Sequence, residues 1–315
     1  MQTNNSFDPE TTFFSQERFI DAVVASGEYE SGRKVRLQAK NSPAYMFGLE
    51  RPHRFGRREI LLAPFGLYAY PNSQCSREDI QDIVRQLRSL DTIAFGWQVR
   101  YDHGVLARLL DESGLQRITG ATRVLYLDRP YELIFSRFTA TARKLVRQAE
   151  RKGVVVRQGV TRDEVSAYYS IYKKVISERA SWGLIYSESM FVEMLKLKEF
   201  VTFLVAEVNG EMLAGGWLIR DGNSSHFWEC AMNYSYKHYF PYYALINSGI
   251  RLACNDGLET FNFGAAASPS IDQFKSIWGA KRLEYWSFRW WNPIWTFVSR
   301  ACGSISRIGV GSRGR

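Results

Sequence analysis

The sequence predicts an α+β protein of two domains, with mixed, largely antiparallel sheets flanked by helices. The chain has 315 residues, more than one domain usually holds, and 45% of them are hydrophobic, which is enough for two cores. Strand-like and helix-like segments alternate along its whole length. In the second half, Asn209-Gly210 and Asp221-Gly222 each join two strand-like segments, and such dipeptides predict antiparallel hairpins.

The first half is predicted to hold five strands and two helices. Alternating or short apolar runs indicate strands, and apolar residues three and four positions apart indicate helices. The strands are expected at Lys34–Lys40, Ala44–Arg51, Glu59–Phe65, Thr92–Asp102 and Thr122–Pro130, and the helices at Arg77–Leu90 and Gly104–Gly114. Pro130 then interrupts the pattern and marks a boundary. The expected parts are an N-terminal domain at 1–129, a C-terminal domain at 130–292 and a basic aromatic tail at 293–315.

The second half opens with a long predicted helix, Tyr131–Gly153, which Gly153 ends. The apolar positions on one face of this helix are Phe138, Ala142, Leu145 and Ala149. The elements expected after it are a strand at Val154–Val160, helices at Glu164–Ala180 and Ser187–Glu199, strands at Phe200–Gly210, Glu211–Gly222 and Ser224–Asn233, a helix at Pro241–Gly257 and a strand at Leu258–Gly264.

Positive charge is concentrated in two segments of a chain whose formal net charge is +9. Residues 137–157 carry seven basic side chains against one glutamate, and residues 281–315 do the same, so each segment has a net charge of +6. Arg143, Arg147 and Arg151 form a stripe along the flank of the predicted helix. Such a stripe attracts phosphate groups, nucleic acid or anionic lipid, or it is solvated surface that binds nothing. Both interpretations stay open.

Several classes of protein are not expected. The four cysteines lie far apart without a CxxC pair, so we predict neither a metal site nor a disulfide framework. His226 and His238 have no third metal ligand near them in sequence and are interpreted as structural. The first 19 residues lack the basic and apolar regions of a signal peptide, and no apolar stretch reaches 18 residues, so a cytoplasmic protein is expected. No Walker loop, GxSxG or HExxH motif occurs.

Five segments between residues 130 and 290 resemble, in order, the FemAB-like branch of the GNAT acyltransferase superfamily. They are Ala142–Gly159, Ile171–Gly183, Phe203–Ile219, Tyr239–Gly264 and Phe274–Arg282. The resemblance implies tandem GNAT-like folds and transfer of an acetyl or aminoacyl group to an amine or hydroxyl of a cell-envelope precursor or polysaccharide. It implies acetyl-CoA or aminoacyl-tRNA as the donor, with no bound cofactor. The glycine-rich turn that binds pyrophosphate in acetyl-CoA enzymes is replaced here by a segment ending in Pro241, so coenzyme A is not expected to bind in the usual manner.

The resemblance also assigns roles to individual residues. Phe274 and Lys275 match the position where family members place the donor end and the developing oxyanion, which a fixed cation stabilises. Arg179 resembles an arginine that holds the acceptor's phosphate groups, and Tyr243 lies where relatives bring an aromatic hydroxyl into the cleft. The alternatives are an exposed lysine on a short helix, a cation at a helix end and a core tyrosine.

Three further candidates come from the residues themselves. Glu229 is the carboxylate of the strand Ser224–Asn233, and it is either a general base with a raised pKa or an ion-pair partner. Arg143 and Arg147 are the predicted substrate-binding members of the basic stripe. An alternative from another class is a non-catalytic module whose basic surface binds RNA or anionic lipid.

The C-terminal segment is rich in aromatic residues. Trp286, Trp290, Trp291 and Trp295 fall within ten positions, and four arginines without an acidic residue follow Trp295. Aromatic rings favour the lipid headgroup region and arginines favour an anionic surface, so a peripheral contact with the inner face of the membrane is one interpretation. The other is that residues 284–291 form a last buried strand.

Overall fold

The computed structural model of the chain describes residues 12–53, 56–72, 75–89, 91–179 and 186–295. These residues form two compact units. The first unit comprises the described residues of Met1–Gly120 and Glu284–Gly314, and the second comprises those of Ala121–Leu283. The second unit is therefore continuous in sequence, whereas the first is interrupted by it.

Helices and strands alternate in both units. The α-helices are α1 Glu17–Ala25, α2 Arg77–Leu87, α3 Gly104–Glu112, α4 Tyr131–Ser136, α5 Ala140–Arg151, α6 Arg162–Arg179, α7 Glu188–Lys196, α8 Pro241–Asn255 and α9 Pro269–Ser276. The strands are β1 Arg33–Gln38, β2 Tyr45–His53, β3 Arg57–Leu61, β4 Thr92–Val99, β5 Gln116–Tyr126, β6 Val155–Gln158, β7 Val201–Val208, β8 Glu211–Asp221, β9 Ser224–Met232, β10 Thr260–Ala265 and β11 Lys281–Trp291. Short 3-10 helices lie at Phe13–Ser15, Pro64–Gly66 and Tyr234–Tyr239.

Each unit holds a mixed, mostly antiparallel sheet. In the first unit the strand order is β1-β2-β3-β4-β11, and β3 pairs with β4 in parallel while the other neighbours are antiparallel. In the second unit the order is β5-β10-β9-β8-β7-β6, and β9 pairs with β10 in parallel while the other neighbours are antiparallel. The predicted α+β fold class, with largely antiparallel sheets flanked by helices, is confirmed.

Two-residue connections form the hairpins of the second unit. Val208 pairs with Glu211, and the intervening Asn209 and Gly210 both adopt positive φ, as a tight hairpin turn requires. Asp221 pairs with Ser224, so the second connection is Gly222 and Asn223, one residue later than predicted.

Helices cover both faces of the sheet in the second unit. Successive side chains of β7 point to opposite faces, and apolar side chains are buried on both. Phe203 and Val205 are buried on the face that α6 and α7 cover, where the ring of Phe203 stacks on Trp217. Leu204 and Ala206 point to the opposite face and belong to the core formed with α5 and α8. A strand buried on both faces therefore appears in the sequence as a nearly continuous apolar run.

The long helix predicted at Tyr131–Gly153 was wrong, because two helices occupy this segment. α4 ends at Ser136, and the hydroxyl of Thr139 accepts a hydrogen bond from the Ala142 N–H at 3.3 Å, which caps the start of α5. Phe138 lies between the helices and is buried, so the apolar spacing continues across the break. Val146, rather than Leu145, completes the buried face of α5.

Other differences lie at the ends of elements and units. α1 was not predicted, and β5 begins at Gln116 rather than near Thr122. Residues 284–291 form part of a strand, as one interpretation expected, but Trp286–Trp291 pair with Val99–Ala94 of β4 in the first unit. The second unit thus begins nine residues before the predicted boundary at 130 and ends nine residues before 292.

The C-terminal tail lies largely outside the described residues, which end at Trp295. The guanidinium of Arg57 lies 4.3 Å from the centre of the Trp295 ring. Among the described helices, none is both long enough and apolar enough to cross a bilayer.

Candidate active site

The candidate site begins where the two parallel strands of the second unit separate. β9 and β10 pair only from Ser224–His226 to Thr260–Asn262, although β9 continues to Met232 and β10 to Ala265. The pairing of β10 with β5 is also irregular between Asn262 and Ala265. The carboxyl ends of β9 (from Phe227) and β10 (from Phe263) are therefore not paired with each other, and the space between them is termed the cleft.

Lys275 reaches this cleft from α9. Ser268 caps the helix through a hydrogen bond from the Ile271 N–H, and the Lys275 Nζ donates to the carbonyl oxygen of Ala265 at 2.7 Å. Gly264 has φ of +72°, and a Cβ there would lie 3.9 Å from Nζ. The glycine is thus favoured by its backbone conformation rather than by a lack of space beside the lysine. Burial lowers the pKa of Lys275 to about 8, and the charges of Cys230, Asp272 and Glu229 act in the opposite direction.

Glu229 lies on β9 beside this lysine. Burial raises the pKa of its carboxyl to about 7, against the effects of a hydrogen bond from the Cys230 N–H to Oε1 at 3.0 Å and of the Lys275 charge. A carboxylate and an ammonium whose pKa values both move toward neutrality, within electrostatic reach of each other, suit proton transfer at physiological pH.

Aromatic side chains and one thiol form the wall of the cleft on the α8 side. The Cys230 Sγ–H donates to the Tyr242 hydroxyl at 2.9 Å, and that hydroxyl lies 3.1 Å from the Cys230 carbonyl oxygen, to which it donates. Tyr243 meets Phe274 edge to face, with ring centres 5.8 Å apart, and also contacts Trp278. Burial raises the pKa of Cys230 to about 12, so this thiol is held protonated.

The structure therefore brings four of the predicted residues to one place. Lys275 and Phe274 lie on α9, Glu229 on β9 and Tyr243 on α8. Their roles in the reaction stay predictions.

Arg143 and Arg147 occupy α5 and make local contacts. The Arg143 guanidinium donates to the carbonyl oxygen of Ser136 at 2.8 Å and to that of Phe138, just after α4. The Arg147 guanidinium lies 5.7 Å from the centre of the Phe135 ring. Arg179 is the last residue of α6, and its side chain lies outside the described part of the structure. None of these contacts tests the predicted binding of phosphate groups.

A cavity of about 380 Å³ lies between α6 and the end of β9. Its walls include Ser170, Lys174 and Glu178 from α6, with Met232 and Asn233 from the other side. Met232 follows Glu229 by three residues along the strand, so the backbone positions of the two residues are about 10 Å apart. Its mixture of apolar and oppositely charged side chains can accommodate a group with polar and apolar parts.

The start of α8 differs from a glycine-rich phosphate-binding turn, as the sequence indicated. Phe240 adopts the left-handed conformation, with φ of 59°, and Pro241 occupies the first turn. The Lys152 Nζ lies 5.7 Å from the ring centres of both Tyr239 and Phe240. Within the described residues, no group of three His, Cys, Asp or Glu side chains is placed to hold a metal ion.

Two features of the site were not predicted from the sequence. Tyr168 on α6 is fully buried and its hydroxyl has no hydrogen-bond partner among the described residues. Asn262, at the last paired position of β10, is buried and its Oδ1 accepts hydrogen bonds from Thr122 Oγ1 and the Gly264 N–H, which fixes the turn beside Lys275. Gly215 and Gly216 are adjacent glycines within a strand, and such glycines mark sites where another group packs closely against the backbone. They were the sequence signal that could have indicated the close packing of Tyr168.

Comparison with known proteins finds a family match for the middle of the chain. Residues 136–276, which include most of the cleft, match the family model described as an acetyltransferase (GNAT) domain. These residues are therefore similar to a GNAT acetyltransferase domain. The match and the fold support acyl transfer as its general activity.

Solved structures extend the likeness to nearly the whole chain. FemX superimposes with a TM-score of 0.73 at 12% identity, over 95% of this chain and 99% of that one. The C-terminal domain of a putative lysylphosphatidylglycerol synthetase from Agrobacterium fabrum gives a TM-score of 0.58 at 17% identity, over 95% and 98% of the two chains. A tandem GNAT protein of the clavulanic acid pathway gives 0.50 at 10% identity, over 86% and 87%. At these identities the likeness concerns the fold. No curated protein matches the chain by sequence.

Proposed function

We propose that the chain transfers an acetyl or aminoacyl group to an amine or hydroxyl acceptor in the cleft between β9 and β10. The observation that carries the proposal is the placement of Lys275 and Glu229 within electrostatic reach of each other, with pKa values of about 8 and about 7. Near pH 7 the lysine is mostly protonated and the carboxyl is about half ionised. One group is thus a cation and the other is able to accept a proton.

Each residue of the candidate site is assigned one role in the proposed reaction. The acceptor's nitrogen or oxygen attacks the acyl carbon, and the acceptor proton moves to the Glu229 carboxylate. The carbonyl oxygen becomes an oxyanion, which the Lys275 ammonium stabilises. When the bond to the leaving oxygen or sulfur breaks, the carbonyl re-forms and the proton passes from Glu229 to the leaving group. Phe274 and Tyr243 exclude water from the acyl carbon, which strengthens the interaction with Lys275.

The donor is proposed to be acetyl-CoA or aminoacyl-tRNA. The start of α8 has no glycine-rich turn and its residue Phe240 has a bulky side chain, which disfavours the usual binding of pyrophosphate at this helix. This supports aminoacyl-tRNA as the first donor to test. The acceptor is proposed to be a cell-envelope precursor or a polysaccharide, in line with the FemAB-like fold.

Donor consumption tests the proposal directly. The full chain is incubated with acetyl-CoA or with charged tRNA, each with and without an amine acceptor, and the loss of the acyl group is followed by mass spectrometry. Consumption of one donor is expected, and it should be lost in the Lys275→Ala protein. If neither donor is consumed and the chain only binds RNA or anionic vesicles, the non-catalytic alternative replaces acyl transfer.

Location at the inner face of the membrane is proposed from the tail alone. Four arginines and no acidic residue follow Trp295, and each basic residue near an anionic surface contributes about 1 kcal/mol. Co-sedimentation with anionic vesicles, comparing the full chain with a chain ending at Trp295, is expected to show salt-sensitive binding of the full chain only. Equal and negligible binding of both chains would contradict the proposed membrane contact.

A further inference from the structure

The hydroxyl of Tyr168 is a buried polar group that packing does not explain. Tyr168 lies on α6 with 0% of its surface exposed, and its Oη has no hydrogen-bond partner within the described residues. Burying a hydroxyl without a partner opposes folding, so native proteins rarely keep one without a functional reason.

The ring of Tyr168 is held by contacts that phenylalanine would make equally well. It meets Phe191 and Phe203 edge to face, with ring centres 5.2 Å and 5.4 Å away, and lies 6.0 Å from Trp217. Gly215 of β8 leaves space for it, since a Cβ there would come within 2.4 Å of the Tyr168 Cδ2. These contacts fix the ring on the sheet, whereas the oxygen adds nothing to them.

Strand register shows what the hydroxyl faces. Gly215 pairs with Ala231 and Trp217 pairs with Glu229, so Ala231 and Glu229 point to the face of the sheet that Tyr168 covers. Burial and then the Glu229 charge are the two main causes that raise the pKa of Tyr168 well above its usual value. Among described residues, Glu229 has a hydrogen-bond donor only at Oε1, from the Cys230 N–H. An unpaired donor and an unpaired carboxylate oxygen thus lie on the same face.

We propose that Tyr168 is a positioning residue that donates a hydrogen bond to Oε2 of the ionised Glu229 carboxylate. The inference rests on the proposed role of Glu229 as the base. In the resting structure the two groups are not hydrogen-bonded, and the bond is expected to form when Glu229 ionises, because such bonds commonly tighten as charge develops. Tyr168 therefore favours the ionised, proton-accepting form of Glu229 and fixes its orientation.

The other groups around Glu229 set the background for this effect. Lys275 on α9 favours its ionised form, and Cys230 lies next to it on β9. The Tyr242 hydroxyl, on α8, is within reach of the Glu229 charge but already bonds to Cys230. Tyr168 is the contributor from α6, so its removal leaves the remaining three contributions in place.

Titration of Glu229 in the full chain tests the inference without any substrate. Glutamate side chains are labelled with ¹³C at the carboxyl carbon, and the Glu229 signal is assigned as the one absent from the Glu229→Gln protein. Tyr168→Phe is expected to raise the pKa of Glu229 by at least half a unit, about a threefold change in its ionised fraction at acidic pH. The melting temperature should be unchanged or higher, since the variant loses only an unpaired buried hydroxyl.

Tyr172→Phe is the matched control, one turn along the same helix. Its hydroxyl accepts a hydrogen bond from the Tyr186 N–H at 3.3 Å, so this variant should melt at a lower temperature with an unshifted Glu229 titration. Superimposed titration curves for Tyr168→Phe and the unsubstituted chain would overturn the inference. Full acyl transfer by Glu229→Gln would instead overturn the role of Glu229 as base, and the titration result distinguishes the two failures.

Discussion

At the residue scale, the surroundings of Lys275 determine the direction and the pKa of its ammonium group. Its hydrogen bond to the Ala265 carbonyl oxygen fixes the direction of the side chain, and burial lowers its pKa to about 8. The resemblance predicted its place, because the Phe274-Lys275 pair is local in sequence. The location of Tyr168 and Glu229 on one face of the sheet could not be predicted from the sequence, because it depends on pairing between strands.

Lys275→Ala is expected to lower turnover by about 100-fold or more, because it removes the cation that stabilises the oxyanion. The free energy of unfolding should change by less than about 1 kcal/mol, since the lysine is only partly buried and bonds to one carbonyl. Steady-state kinetics and thermal unfolding check both, with Lys281→Ala, an exposed lysine nearby, as the control. Normal turnover in Lys275→Ala would exclude the proposed role.

Glu229→Gln is expected to change the pH dependence of stability. The carboxyl has a pKa of about 7 in the folded chain against 4.5 for an ordinary glutamate, so between these values the folded state holds a proton that the unfolded state releases. The contribution of Glu229 to stability is therefore greatest below pH 4.5 and is lost as pH rises toward 7, by up to about 3 kcal/mol. Thermal unfolding across this range should show a flatter profile for Glu229→Gln. Parallel profiles would mean that the pKa is not raised.

At the element scale, the break between α4 and α5 illustrates the limit of periodicity. Thr139 is a residue that favours a helix start. Phe138 is buried, as both one long helix and two shorter helices would require, so the apolar pattern did not reveal the break. The strands and hairpins of the second unit were predicted well, because their turn residues and apolar runs are local. The contacts of Arg143 with the Ser136 and Phe138 carbonyls were not visible in the sequence.

The basic stripe of Arg143, Arg147 and Arg151 is predicted to bind phosphate groups. The contacts of Arg143 give this residue an additional structural role. If the stripe holds a phosphate-bearing substrate, replacing Arg147 and Arg151 with Gln should raise the Michaelis constant severalfold and weaken its dependence on salt. Arg143→Gln should in addition lower the melting temperature, because its guanidinium links α5 to the residues after α4. Lys144→Gln, an exposed cation on the same helix, is the control. An unchanged Michaelis constant in the double variant would leave the stripe as solvated surface.

At the scale of the whole molecule, the first unit is completed by a strand from the far end of the chain. The Asn292 side chain donates to the Thr92 carbonyl at 3.1 Å, and Phe288, which pairs with Trp97, is fully buried. The sequence could not indicate this pairing, because local patterns indicate that a strand exists without identifying its neighbour.

Truncation after Leu283 should therefore damage the first unit. It removes Trp286–Trp291 from the β4 edge and the buried Phe288 side chain, whose loss alone costs about 3 kcal/mol or more. The truncated chain is expected to be less soluble, and its first unit should melt at a lower temperature. A chain ending at Trp295 should keep the solubility and the melting temperature of the full chain. An unchanged transition after truncation at Leu283 would show that β11 contributes little to the first unit.

The return of the last strand to the first unit also sets an order of events during protein synthesis. β4 is complete when Val99 has been made, but its partner around Phe288 follows almost 190 residues later. At about 5–20 residues per second, this delay is roughly 10 to 40 s. Throughout that interval the edge of β4 has no native neighbour, and the continuous second unit can fold first. A nascent chain of this protein should thus depend on chaperones until its final strand leaves the ribosome.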